Sequence, residues 1–199
     1  MTTTVQKSGY IIPANWVPGP KQGEWTYDDY IKLPDDGRRY EILNGVLLLM
    51  PAPKDSHQKT VLRIAHYLLV NVEFAGLGQV RMAPEDVILG PKNVFQPDVL
   101  VVLNEHLERL TEAGVMGAPD LTVEVLSPST ALDDRVDKHR EYALAGVPEY
   151  WIVNSETKVV EVFVLEGKEY RSLGEFGGKD QIPSLVLPGL PVHVEQFFA

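Results

Sequence analysis

The sequence predicts an α/β fold, a mixed central sheet flanked by helices. Three observations carry that prediction. Residues 121–126, 131–145 and 149–154 read as strand, helix and strand. Residues 61–72 carry an apolar helical stripe. Asn44-Gly45 stands between two apolar runs, a strong hairpin signal.

The elements follow in chain order. Residues 1–24 hold Pro13, Pro18 and Pro20 with Gly9, Gly19 and Gly23, so they are expected as an extended arm. Residues 25–199 are then one domain. Thr26 is positioned to cap a short helix, Tyr27 to Leu33, which Pro34 ends. Tyr40 to Leu43 and Val46 to Met50 form the hairpin around Asn44-Gly45. Val61, Ile64, Ala65, Leu68, Leu69 and Val72 fall on one helical face, in a helix expected from Ser56 or His57 to Phe74. Asp55 or Ser56 would cap it, and Gly76 would stop it. Strands are expected at 79–82 and 86–89, and a central one, apolar on both faces, at 97–103. Residues 104–113 read as helical.

The second half is more regular. The strand 121–126 is broken by Ser127-Pro128-Ser129, and Ser129 or Thr130 can cap a helix from about Ala131 to Ala145, stopped by Gly146. The strand 149–154 should lie parallel to 121–126 through a right-handed crossover. Residues 159–165 and 169–173 form a hairpin around Glu166-Gly167, and the chain ends in an apolar segment, Val192 to Phe198.

Composition excludes several function classes. The chain has 199 residues, 44% of them hydrophobic and 23% charged, as expected of a globular protein. It contains no cysteine, which removes disulfides, thiolate zinc sites and a cysteine nucleophile. No apolar run is long enough to cross a bilayer, and residues 1–9 lack an apolar signal core, so a cytoplasmic location is expected. The net charge of −10, from 18 Lys+Arg against 28 Asp+Glu, weighs against a module that only binds nucleic acid. A carboxylate-rich metal site is compatible with it. There is no phosphate-cradling P-loop and no Gly-x-Ser-x-Gly elbow.

Three carboxylates lie in apolar strand contexts: Glu41, Asp98 and Glu124. An isolated buried carboxylate costs several kcal/mol, so each must be paired, hydrated or bound to metal. Acids converging from separate strands make the all-oxygen site that magnesium prefers. Each has a plainer reading. Glu124 could face water from a half-buried strand, Asp98 could be a turn residue after Pro97, and Glu41 could pair with Arg38 or Arg39. Lys138 is the candidate cation, although its i−4 neighbour Asp134 offers an ordinary surface pair. His66, His106, His139 and His193 sit at no metal-ligand spacing.

Four segments carry a resemblance: Tyr40-Glu-Ile-Leu-Asn-Gly45, Gln96-Pro-Asp-Val99, Val123-Glu-Val-Leu-Ser-Pro-Ser129, and Lys138 with Tyr142-Ala-Leu-Ala-Gly-Val-Pro-Glu-Tyr-Trp-Ile-Val153. Over about residues 25–175 the chain resembles the Uma family of bacterial restriction endonucleases, a branch of the PD-(D/E)XK nuclease superfamily. The resemblance implies a restriction-endonuclease-like domain and metal-dependent cleavage, most simply of DNA. It implies Asp98 and Glu124 as ligands of magnesium (manganese being an alternative), with the Val125 carbonyl as a further ligand and Glu41 as an additional acid for a second metal or its water. It implies Lys138 as the catalytic lysine and His57 as a histidine of the site. Leu126 departs from the superfamily pattern, which places a lysine there; the lysine has moved to the helix that bears Lys138. Cutting both strands of a duplex, together with a proline-rich arm and an apolar C-terminal segment that need cover, leads to the expectation of a homodimer.

Overall fold

The computed structural model describes residues 12–126 and 134–199. It is a mixed α/β fold, as expected, and its strands form two sheets, one of seven strands and one of six. Ser129 and Thr130, the candidate caps, lie outside the described residues.

The first sheet is built on the hairpin. Strands β2 (Arg39–Leu43) and β3 (Val46–Met50) pair antiparallel. Asn44 and Gly45 both take positive φ, 50° and 75°, which is what the two-residue turn demands. Strand β1 (Ile12–Pro13) adds to β3, so part of the arm is integrated into the domain. The remaining strands are β5 (Val87–Gly90), β6 (Asn93–Phe95), β8 (Leu110–Thr111) and β9 (Gly114–Met116), in the order β1-β3-β2-β6-β5-β9-β8. Helix α1 is one turn, Tyr27–Tyr30. Thr26 caps it by an exchange in which its amide and hydroxyl both donate to Asp29.

The second sheet has the order β13-β12-β11-β10-β7-β4. Its strands are β4 (Gly78–Met82), β7 (Val99–Leu103), β10 (Leu121–Leu126), β11 (Glu149–Asn154), β12 (Val159–Glu166) and β13 (Glu169–Gly177). As the crossover rule requires, β10 and β11 are parallel. Every residue of β10 is buried because both faces are covered. Val99, Val101, Val123 and Val125 pack under Val61, Ile64 and Leu68 of helix α2 (Asp55–Leu68). On the opposite face, Leu100 and Val102 meet Val87 and Val115, while Tyr150 and Ile152 meet Phe95 and Tyr142. Tyr142 lies on helix α3 (His139–Ala145), which follows a π-helical turn, Asp134–Lys138, and ends at Gly146 with φ 89°.

Three expectations are corrected. Helix α2 is capped by Lys54 through backbone geometry alone, not by Asp55 or Ser56, and it continues as a π-helical turn, Leu69–Glu73. Residues 104–113 do not form a helix: a short 3-10 segment, Asn104–Arg109, breaks at His106 and leads into the β8–β9 hairpin. Gly114 belongs to a strand because its backbone presses on β5, where a Cβ would lie 2.3 Å from the Asp86 carbonyl oxygen. The C-terminal segment needs no partner, since Val192, Val194 and Phe197 are buried in the chain's own α2-side core.

Candidate active site

Asp98 stands just before β7, whose expected start at Pro97 is two residues too early. Antiparallel pairing of Val99 with Val123 brings Asp98 beside the end of β10. The Val125 amide donates to Asp98 Oδ2 at 2.7 Å, and His57 Nε2 lies 3.1 Å from the same oxygen. His57 comes from the first turn of α2, the helix that packs on this part of the sheet.

Glu124 points to the other face of β10 from Val123 and Val125, away from α2 and toward α3. Its Oε1 accepts from the Tyr142 hydroxyl at 2.9 Å and from Lys138 Nζ at 3.1 Å. Lys138 also reaches Glu41, 2.9 Å from Oε2 and 3.2 Å from Oε1. Glu41 Oε1 is fixed from behind by the Gln96 amide at 3.1 Å. Nζ sits 5.8 Å from the centre of the Phe95 ring. Fractional exposures are 1% for Glu41, 8% for Asp98, 4% for Glu124 and 3% for Lys138.

This geometry bears on the plainer readings: Asp98 does stand at a strand end, as its plainer reading has it. Glu124 does not face water. Glu41 does not pair with an arginine: Arg39 donates to Gln96 Oε1, and Arg38 pairs with Asp36. Lys138 is buried and reaches Glu41 and Glu124. Glu41, Lys138 and Glu124 form one contact group, and Asp98, His57 and the Val125 amide form another, joined through strand β10, which carries both Glu124 and Val125.

Electrostatics fixes the state of one neighbour. Burial, reinforced by the nearby Glu124 charge, holds the Tyr142 hydroxyl well above the usual tyrosine range. The phenol therefore remains a hydrogen-bond donor to Glu124. In the sequence Tyr142 stands out only as the start of the segment 142–153. Its signal was its position one turn beyond Lys138, on the face that meets the sheet.

A second cluster was missed altogether. His106 Nδ1 lies 2.7 Å from Asp120 Oδ1, and with Glu105 these residues make the one His/Asp/Glu group, among the described residues, whose ligand atoms all fall within 4.8 Å of one another. The spacing argument had given His106 no such neighbours. Asp120 is already committed, because its other oxygen takes the Leu103 amide at 2.7 Å.

The chain was compared with known proteins. The Uma2 family, described as "Putative restriction endonuclease", matches residues 27–195. A crystal structure of a "putative nuclease belonging to DUF820" from Anabaena variabilis ATCC 29413 superposes with a TM-score of 0.72, at 19% identity, covering 87% of this chain and 97% of that one. At that identity the likeness concerns the fold. No curated protein matches the chain.

Proposed function

Because the chain belongs to the Uma2 family of restriction-endonuclease-like proteins, we propose that it is a metal-dependent endonuclease hydrolysing phosphodiester bonds, of DNA in the first place. The observation that carries this reading is the meeting of two buried carboxylates, Glu41 and Glu124, with one buried lysine, beside a strand whose Val125 amide also holds the buried Asp98. A module that only bound nucleic acid would gain nothing from buried acids, which repel phosphate.

The donor set fits a hard divalent cation. Glu41 and Lys138 cancel in charge, and the remaining carboxylates of Asp98 and Glu124 offer oxygen ligands with two negative charges. In this reading Asp98 and Glu124 hold magnesium or manganese, with the Val125 carbonyl as a further ligand. The bound ion supplies polarisation of the phosphoryl group and a water of lowered pKa. His57 steadies the Asp98 carboxylate from the α2 side. Lys138 holds positive charge where the phosphate becomes more negative and orients the attacking water. In this reading the chain acts in the cytoplasm, and cutting both strands of a duplex calls for a homodimer.

A second reading, a catalytically inactive nuclease-fold protein that binds nucleic acid or another protein, has one observation in its favour. Leu126 occupies the strand position where the superfamily pattern places lysine, and Lys138 is held by internal ion pairs. One experiment separates the two: cleavage of a mixed DNA panel with magnesium or manganese, beside an Asp98→Ala control. Ion-dependent cleavage lost in the control supports the endonuclease. Equal, ion-independent traces in both chains refute it.

A further inference from the structure

We propose that Glu41 is a positioning residue for Lys138 rather than a metal ligand, so that the centre takes one divalent ion and the lysine ammonium stands where a second would bind. This rests on the metal-dependent reading above and specifies how its centre is divided.

The geometry of Glu41 is the starting point. Both of its oxygens face Lys138 Nζ, at 2.9 and 3.2 Å, and Oε1 is also engaged by the Gln96 amide. Gln96 is itself braced, since its side chain takes Arg39 Nε at 3.0 Å and donates to Asp86 at 2.8 Å. The carboxylate is therefore oriented from behind and aimed at the ammonium. A metal on Glu41 would have to displace a buried lysine whose charge would then face the ion, two like charges in a region of low dielectric. The arrangement of ligand atoms agrees. Among the described residues, no trio drawn from Glu41, Asp98, Glu124 and His57 closes to within 4.8 Å, and Lys138 stands between Glu41 and Glu124.

This division explains why a lysine can leave the strand. A lysine on a helix has a long, rotatable stem, and alone it would sample many positions. Glu41, supplied by the first sheet, provides the counter-charge that fixes its tip beside Glu124, which belongs to the second sheet. The hairpin sheet thus contributes orientation of the cation.

The test is calorimetric titration of the full chain with manganese, combined with single-turnover cleavage. The wild-type chain is expected to bind one ion. Glu41→Gln should bind one ion with affinity changed by less than about tenfold, the lower edge of what outer partners of a metal site usually cost. Its cleavage rate should fall by about 100-fold, the scale of losing one oriented charge-stabilising group. Glu41→Gln combined with Lys138→Met should be no slower than Lys138→Met alone, because both remove the same function. Two ions per wild-type chain, or an ion lost on Glu41→Gln, overturns the assignment. A wild-type chain that binds no ion overturns the metal reading itself and this division with it. The wild-type stoichiometry needs no variant, so it decides even where Glu41→Gln folds poorly.

Discussion

The Val125 amide donates a 2.7 Å hydrogen bond to Asp98 Oδ2. The strand that carries Glu124 therefore also sets the direction of the Asp98 carboxylate, and the two acids move as a unit. A backbone donor is rigid, which is how a strand pair can present two acids without a loop.

Asp98→Asn tests that unit. The amide oxygen of asparagine can still accept from Val125, so the fold should survive. The charge that attracts a divalent ion is gone. At magnesium about 100 times the dissociation constant, the wild-type chain should gain roughly 2.7 kcal/mol of stability. Asp98→Asn should gain almost none. Thermal melts with and without magnesium measure the difference, and an equal gain in both chains would remove Asp98 from the ligand set.

Tyr142→Phe isolates the hydroxyl that donates to Glu124. The ring packs against Phe95 and Tyr150 and would stay in place. The cost is the loss of one donor to a buried carboxylate, about 1–3 kcal/mol. Urea unfolding should show a lower midpoint at an unchanged slope. A midpoint equal to wild type would mean that the hydroxyl contributes nothing to holding Glu124.

His139 provides a pH dependence with a definite sign. Burial lowers its pKa from 6.5, only partly offset by the charge of Glu161. Rings of Phe163 and Tyr170 lie 4.9 and 5.0 Å away. The folded state thus resists the proton that the unfolded state accepts. The contribution to stability is fully present above pH 6.5 and is lost as pH falls below 6.5 through the depressed folded value. Unfolding midpoints measured across this range should fall more steeply for the wild-type chain than for His139→Gln. Parallel curves would count against the burial argument.

How much of this was legible follows from which forces decide each part. The β10–β11 unit, the Asn44-Gly45 hairpin and the α2 stripe are set by local pattern, and they stand where periodicity placed them. Residues 104–113 read as helical from local sequence, but a tertiary bond from His106 to Asp120 and the close packing of Gly114 on the Asp86 backbone override it. The C-terminal segment looked unsatisfied because its apolar partners, on α2 and the second sheet, are distant in sequence. Membership of the site was readable from motifs. The partners within it were not: spacing alone gives Lys138 to Asp134, whereas Glu41, 97 positions away, is brought to Lys138 by the packing of the two sheets.

Lys138→Ala is the sharpest test of the chemistry. Removing a buried partner leaves Glu41 and Glu124 facing each other without a cation between them, which typically costs about 3–5 kcal/mol. The apo chain should therefore melt earlier. Metal affinity should stay equal or rise, because a positive charge beside the ligands has gone. Added magnesium should then recover part of the lost stability. The single-turnover cleavage rate should nevertheless fall strongly, since no other described cation stands between the two carboxylates to offset phosphate charge. Lys138→Arg should restore the charge and much of the stability but not the rate, because a planar guanidinium cannot occupy the point position of an ammonium 2.9 Å from Glu41 and 3.1 Å from Glu124. A wild-type rate in Lys138→Ala would reduce the lysine to a structural ion pair and deprive the proposed mechanism of its cation.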